Sequence, residues 1–144
     1  MAEFQGTYSA DKVIVSVGSV PLSGFTDGDF ITASYAEDRA TPKAGADGGV
    51  GVSRNASRLG TIVITLSATS AANDALSALF NIGSLTTNIV TLPISVIDLS
   101  GRTVISGANC WLQVSPEATF GKEIGDREWT FGAADLVMFM GGNG

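Results

Sequence analysis

The chain has 144 residues, enough for one domain with a core of its own. Charged residues make up 15%, against about 25% in an average soluble protein, and 18 residues are glycine, so the expectation is a turn-rich domain partly covered by other subunits. The net charge of −6 argues against wrapping nucleic acid, and the absence of histidine excludes histidine-based catalysis, histidine-ligated zinc and a histidine pH switch.

Residues 1–11 mix polar and aromatic side chains without a period and read as an N-terminal arm, free or laid on a neighbour. Lys12–Val17 is rich in β-branched residues, with Val13, Val15 and Val17 on one strand face. Gly18, Pro21 and Gly24 interrupt the chain. Asp27-Gly28-Asp29 then leads into a second strand over Phe30–Tyr35.

The segment from Glu37 to Arg58 stands apart. It holds Pro42, Gly45, Gly48, Gly49 and Gly51, with charges at both ends and little bulky apolar content. It far exceeds the usual connection of about 4–6 residues. Asp47-Gly48 suggests a long hairpin with a tight turn. Its arms bury little by themselves, so it is expected to become ordered against another chain.

Thr61–Leu66 alternates, with Ile62, Ile64 and Leu66 inward. Ser70 is a good N-cap, Asp74 suits the first turn, and Leu76, Leu79 and Phe80 share a face, which predicts a helix over Ala71–Asn81 stopped near Gly83. Val90, Leu92, Ile94 and Val96 share a strand face. Pro93 makes that strand an edge, or bulged at that point. Further strands are expected over Thr103–Ile105, Asn109–Val114, Arg127–Phe131 and Leu136–Met140. The total is about eight strands and one helix in a single domain, a mainly β sandwich or barrel with a flanking helix and a protruding hairpin.

The candidate chemical sites have ordinary readings. Asp27 and Asp29 supply too few oxygens for calcium, which takes six to eight ligands. Glu123, Asp126 and Glu128 offer a carboxylate pair of the kind glycoside hydrolysis uses, but carboxylates on a solvated loop look the same. Gly48-Gly49-Val50-Gly51 lacks the Lys-Ser/Thr of a phosphate loop. Asn55-Ala56-Ser57 matches a glycosylation sequon by chance. Cys110, in phase with Ala108 and Leu112, reads as a core thiol, and Trp111 and Trp129 read as core aromatics. Arg54 and Arg58 are a cationic pair suited to acidic residues of a neighbour. No signal peptide opens the chain, and its longest apolar run, Leu136–Met140, is far short of the roughly 20 residues of a membrane span, so folding in a cytoplasm is expected.

The stretch Gly45–Asn55, then Gly60–Leu66, then Thr69–Leu79 resembles a family of structural proteins of contractile-tailed bacteriophages. Tyr8-Ser9, Gly24–Gly28 and Glu128-Trp129 look like the same family. The resemblance covers most of the chain and is most specific from Asp47 to Leu79. It is to tail tube proteins, whose relatives form the inner tubes of contractile bacteriocins and type VI secretion systems.

The resemblance implies hexameric rings stacked into a tube that conducts DNA, in a virion assembled in the host cytoplasm. The implied partners are other copies of the chain, a tail sheath protein outside, baseplate and tail terminator proteins at the ends, and a tape measure protein and DNA transiently in the lumen. No membrane binding and no cofactor or metal is implied. Glu37, Asp38, Lys43, Asp47, Gly48, Arg54 and Arg58 then belong to an inter-subunit loop. Asp27, Asp29, Asp98 and Glu117 are the acidic candidates for the lumen wall, where like charge keeps phosphate from sticking. A bacteriocin tube, a virion decoration or binding module, and a hydrolase built on Glu123 and Glu128 are the competing readings.

Overall fold

The computed structural model describes residues 6–26, 28, 30–84 and 89–142. Ten strands are present among them: β1 (Val13–Val17), β2 (Val20–Pro21), β3 (Ile31–Tyr35), β4 (Ala40–Ala44), β5 (Val50–Arg54), β6 (Gly60–Ser67), β7 (Leu92–Asp98), β8 (Val104–Val114), β9 (Asp126–Ala133) and β10 (Leu136–Phe139). One helix, α1 (Ala72–Ser84), joins β6 to β7. The main sheet runs β2-β1-β7-β8-β9-β6-β3, with β10 also paired to β8, and β4 and β5 form a separate two-stranded sheet. Every pairing between these strands is antiparallel.

The strongest alternation in the sequence forms the spine of the core. Along β6, Gly60, Ile62, Ile64 and Leu66 are all buried, and the residues between them are half-buried. Ile64 lies opposite Trp129 and Ile62 opposite Phe131, so each cross-strand pair fills the interior. Gly60 has no room for a side chain: a Cβ there would lie 2.3 Å from Leu136 Cδ2 and 2.9 Å from the Ser34 carbonyl oxygen. Val15 and Val17 from β1, Ile94 and Val96 from β7, and Ile105 from β8 complete the same core.

The helix covers the inner face of β6 and β9. The Ala72 amide donates to Ser70 Oγ at 3.2 Å, capping the first turn. Leu76 is fully buried, and the Phe80 and Phe131 rings pack with centroids 5.4 Å apart. Trp129 Nε1 donates to Asn73 Oδ1 at 2.9 Å, which satisfies the polar end of a buried indole. The helix begins one residue later than the sequence suggests and runs on to Ser84. No helix among the described residues is long and apolar enough to cross a membrane.

Two strands differ from expectation for one reason. Thr103–Ile105 and Asn109–Val114 belong to a single strand, β8. Leu92 pairs with Cys110 while Ile94 pairs with Gly107, so β8 carries an extra residue there. The bulge shifts the alternation: Ile105 and Gly107 are buried, Ala108 is exposed, and Cys110 is buried again. Cys110 is thus a core thiol, but not in phase with Ala108. Pro93 sits opposite the same irregularity, in a strand flanked by β1 and β8 rather than at an edge. Its missing N–H falls where the ladder is already interrupted.

The sheet bends over its core without closing. Val13, Val96 and Ile105 from one part and Phe30 and Ile31 from another line a shared cavity of about 520 Å³. The result is a sandwich-like, mainly β fold, not a closed barrel. Of the expected N-terminal arm, residues 1–5 lie outside the described residues. Ser9 to Lys12 is held by the chain's own body: the Ser9 amide donates to Ser100 Oγ, and the Leu99 amide donates to the Lys12 carbonyl.

Candidate assembly surfaces

The protruding element is β4, its tip and β5. Pro42 pairs with Val52 and Ala44 with Val50. Side chains alternate along a strand and paired residues share a face. Ala40, Pro42, Ala44, Val50 and Val52 therefore lie on one face, with Arg54 at its base. Thr41, Lys43, Gly51 and Ser53 lie on the other. Every residue of both strands is exposed, and Val50 and Val52 are each 66% exposed. The hairpin is thus an amphipathic sheet whose apolar face is left exposed by its own chain.

A two-stranded hairpin alone is marginal in water. This one is clamped at its base. Arg39 Nη1 donates to the Ser57 carbonyl at 2.6 Å, and its guanidinium lies 4.9 Å from the Tyr35 ring centroid. Asn55 Nδ2 donates to Glu37 Oε2 at 2.7 Å, and the Asn55 amide donates to the Arg39 carbonyl. At the tip, Gly48 adopts φ +89, a conformation that favours glycine, and the Gly49 amide donates to Asp47 Oδ1 at 3.1 Å. The segment expected to order only on a neighbour is therefore already a paired hairpin in the single chain.

The loop residues expected from the sequence divide accordingly. Lys43, Asp47, Gly48 and Arg54 belong to the projecting part. Glu37 is a clamp residue at its root, and Asp38 is exposed just before β4. Arg58 is stitched to the body instead, its carbonyl accepting from the Leu136 amide at 2.9 Å. Arg39 and Asn55 were missed. Their signal is positional: they flank the two arms, one residue outside each.

A second bare surface lies on the outside of the main sheet. Ile14 pairs with Ile97, Ile97 with Val104, and Val104 with Phe139. Val13, Val15, Val96, Ile105 and Met138 beside them pack in or against the core, so these four form one apolar row across β1, β7, β8 and β10. They are 37% to 62% exposed. Val137 extends the patch along β10.

The other half of that outer surface is polar. Thr65, Ser115, Glu117, Thr119, Asp126, Glu128 and Thr130 surround a cavity of about 420 Å³ beside Val114. Among the described residues, no three His, Cys, Asp or Glu side chains converge as a metal site requires. Glu117 is exposed here. Asp98 is not: it is 9% exposed, and its Oδ1 accepts from the Ser100 amide at 2.9 Å and from Ser100 Oγ at 2.6 Å. That carboxylate holds the turn between β7 and β8, which removes it from an open wall. Asp27 and Asp29 lie outside the described residues.

A profile of the bacteriophage PhiTE tail tube protein family matches residues 6–141. Comparison with curated proteins finds no significant match. Among solved structures, the chain is similar to the anti-feeding prophage tube terminating cap, at 14% identity and TM-score 0.59, covering 96% of this chain and 95% of that one. It is similar to the PVC sheath/tube terminator of an extracellular contractile injection system in the extended state, at 18% identity and TM-score 0.60, covering 97% and 100%. A chain of the PVC sheath-tube complex in the extended state gives 13% identity and TM-score 0.61, covering 92% and 91%.

Proposed function

The chain belongs to the bacteriophage PhiTE tail tube protein family, and from that premise we propose that it forms hexameric rings stacked into the inner tube of a contractile tail. It is a structural tail component rather than an enzyme. The hairpin carries the reading: an apolar sheet face, built and clamped, with nothing of its own chain to cover it. Burying a valine side chain stabilises by about 1.5–3 kcal/mol, and the hairpin presents two valines with Pro42 and two alanines beside them. Because its backbone is already paired, little ordering entropy opposes docking.

A head-to-tail contact that closes forms a ring, and repetition along the axis forms a tube. The acidic, threonine-lined surface around Glu117, Asp126 and Glu128 suits the bore, since its carboxylates repel phosphate. DNA and a tape measure protein would pass along it. A sheath protein outside, terminator and baseplate proteins at the ends, and assembly in the host cytoplasm complete the reading. The terminator and sheath-tube similarities support the sheath and terminator partners. An inner tube of a contractile bacteriocin would use the same surfaces.

Negative-stain microscopy across rising protein concentrations tests the proposal. It predicts rings and stacked tubes. A monomer at every concentration would contradict it and favour a virion decoration or binding module.

A further inference from the structure

The two bare apolar surfaces match each other. Both are faces of antiparallel sheet, and both lack a cover within the chain. The projecting hairpin leaves the main sheet at β3 and β6, whereas the apolar row crosses β1, β7, β8 and β10. A surface that cannot be satisfied within its own chain is satisfied by the complementary surface of a second copy.

Charge sets the orientation. The hairpin carries Asp47 at its tip and Arg54 at its base, both exposed. The outer patch has Lys12 exposed just before β1 and Asp135 exposed just before β10. Lys12 lies two residues before Ile14 and Asp135 four before Phe139. β1 and β10 run in opposite directions, so the two charges lie on opposite sides of the row. From Lys12 to Asp135 is three strand spacings of about 4.8 Å across and about six steps of roughly 3.4 Å along, a diagonal of roughly 25 Å. From Asp47 to Arg54 is less than the roughly 24 Å of seven extended steps, because Asp47 sits in the turn and only Val50–Arg54 is strand, and the long Lys12 and Arg54 side chains span the remainder. A hairpin laid on that diagonal crosses the strands at roughly 35°, near the value of about 30° at which aligned sheets pack.

We infer that the hairpin of one copy lies across the outer face of β1, β7, β8 and β10 of another, its tip Asp47 beside Lys12 and its basal Arg54 beside Asp135. This rests on the tube reading and names the acceptor surface within it. Val50 and Val52 cover Ile14, Ile97, Val104 and Val137. No charge is buried, because both ion pairs lie at the ends of the patch. The pairs fix register and direction, and the apolar contact provides the adhesion.

The test uses the full chain. Val52→Cys and Ile97→Cys proteins are mixed during assembly with a short bis-maleimide; Cys110 is buried and stays silent. A cross-linked dimer is expected only when both variants are present. Asp47→Lys and Lys12→Asp are each expected to lose tubes, and the two changes together in one chain are expected to restore them. Tryptophan fluorescence, from Trp111 and Trp129 together, verifies that each variant is folded. Loss of tubes on deleting Ala44–Gly51, with no cross-link and no restoration by the charge exchange, would overturn this acceptor surface and leave the tube reading standing. Tubes that form without the hairpin would overturn the docking and leave the tube reading standing, whereas a wild-type chain that forms no tubes at any concentration would overturn both.

Discussion

Single residues settle how the core tolerates change. Ile64 is fully buried opposite Trp129. Ile64→Asp places an unpaired carboxylate there, so the variant should show no cooperative thermal transition by circular dichroism. Trp129→Phe is milder. It removes the indole donor to Asn73 Oδ1, and a loss of about 1–3 kcal/mol in denaturant unfolding is expected, because a partly buried acceptor is left without that partner. Burial pushes the Cys110 thiol pKa up, with a backbone hydrogen bond involving Ile94 pulling in the other direction. The folded state therefore holds the thiol proton longer than the unfolded chain does. Stability from this group is complete below the ordinary thiol pKa and declines as pH rises through the window up to the raised value. A Cys110→Ala variant should lack that alkaline decline. In the folded wild type at neutral pH, alkylation of Cys110 should be negligible until denaturant opens the core.

Elements show how far the sequence could be read. β6 was legible because its inward side chains alternate without a fault, and α1 because its cap and apolar spacing agree. β8 was not, because one extra residue between Gly107 and Cys110 inverts the alternation that a pattern reading follows. Pro93 was legible as a bulge or an edge, and only pairing partners decide between them. The hairpin was legible from its glycines and Asp47-Gly48. Its clamp was not, since Arg39 against the Ser57 carbonyl and Asn55 against Glu37 are contacts across the two roots of the hairpin, not local patterns. For the lumen candidates, composition provided the sign of the charge but no position. The turn that absorbs Asp98 and the exposed setting of Glu117 come from the fold. Removing Ala44–Gly51 should leave the melting temperature within a few degrees of wild type, because those residues touch no core side chain, while tube formation is lost. A collapse of the melting transition would place the hairpin inside the folding unit.

At the scale of the whole molecule, low surface charge and two bare apolar sheet faces have one physical meaning. A monomer of this kind exposes surface that a soluble chain ordinarily covers or charges. In the proposed tube, association would hide both faces at once and leave the acidic, threonine-lined surface open to the bore. The core lies within the single chain, so the account expects the free chain to be folded before it assembles. A cryo-EM reconstruction of the polymer grown from purified protein is the most direct measurement. The account predicts a hollow cylinder in which density for Val50 and Val52 is sealed against an adjoining copy. A cylinder in which those valines still face solvent would contradict it.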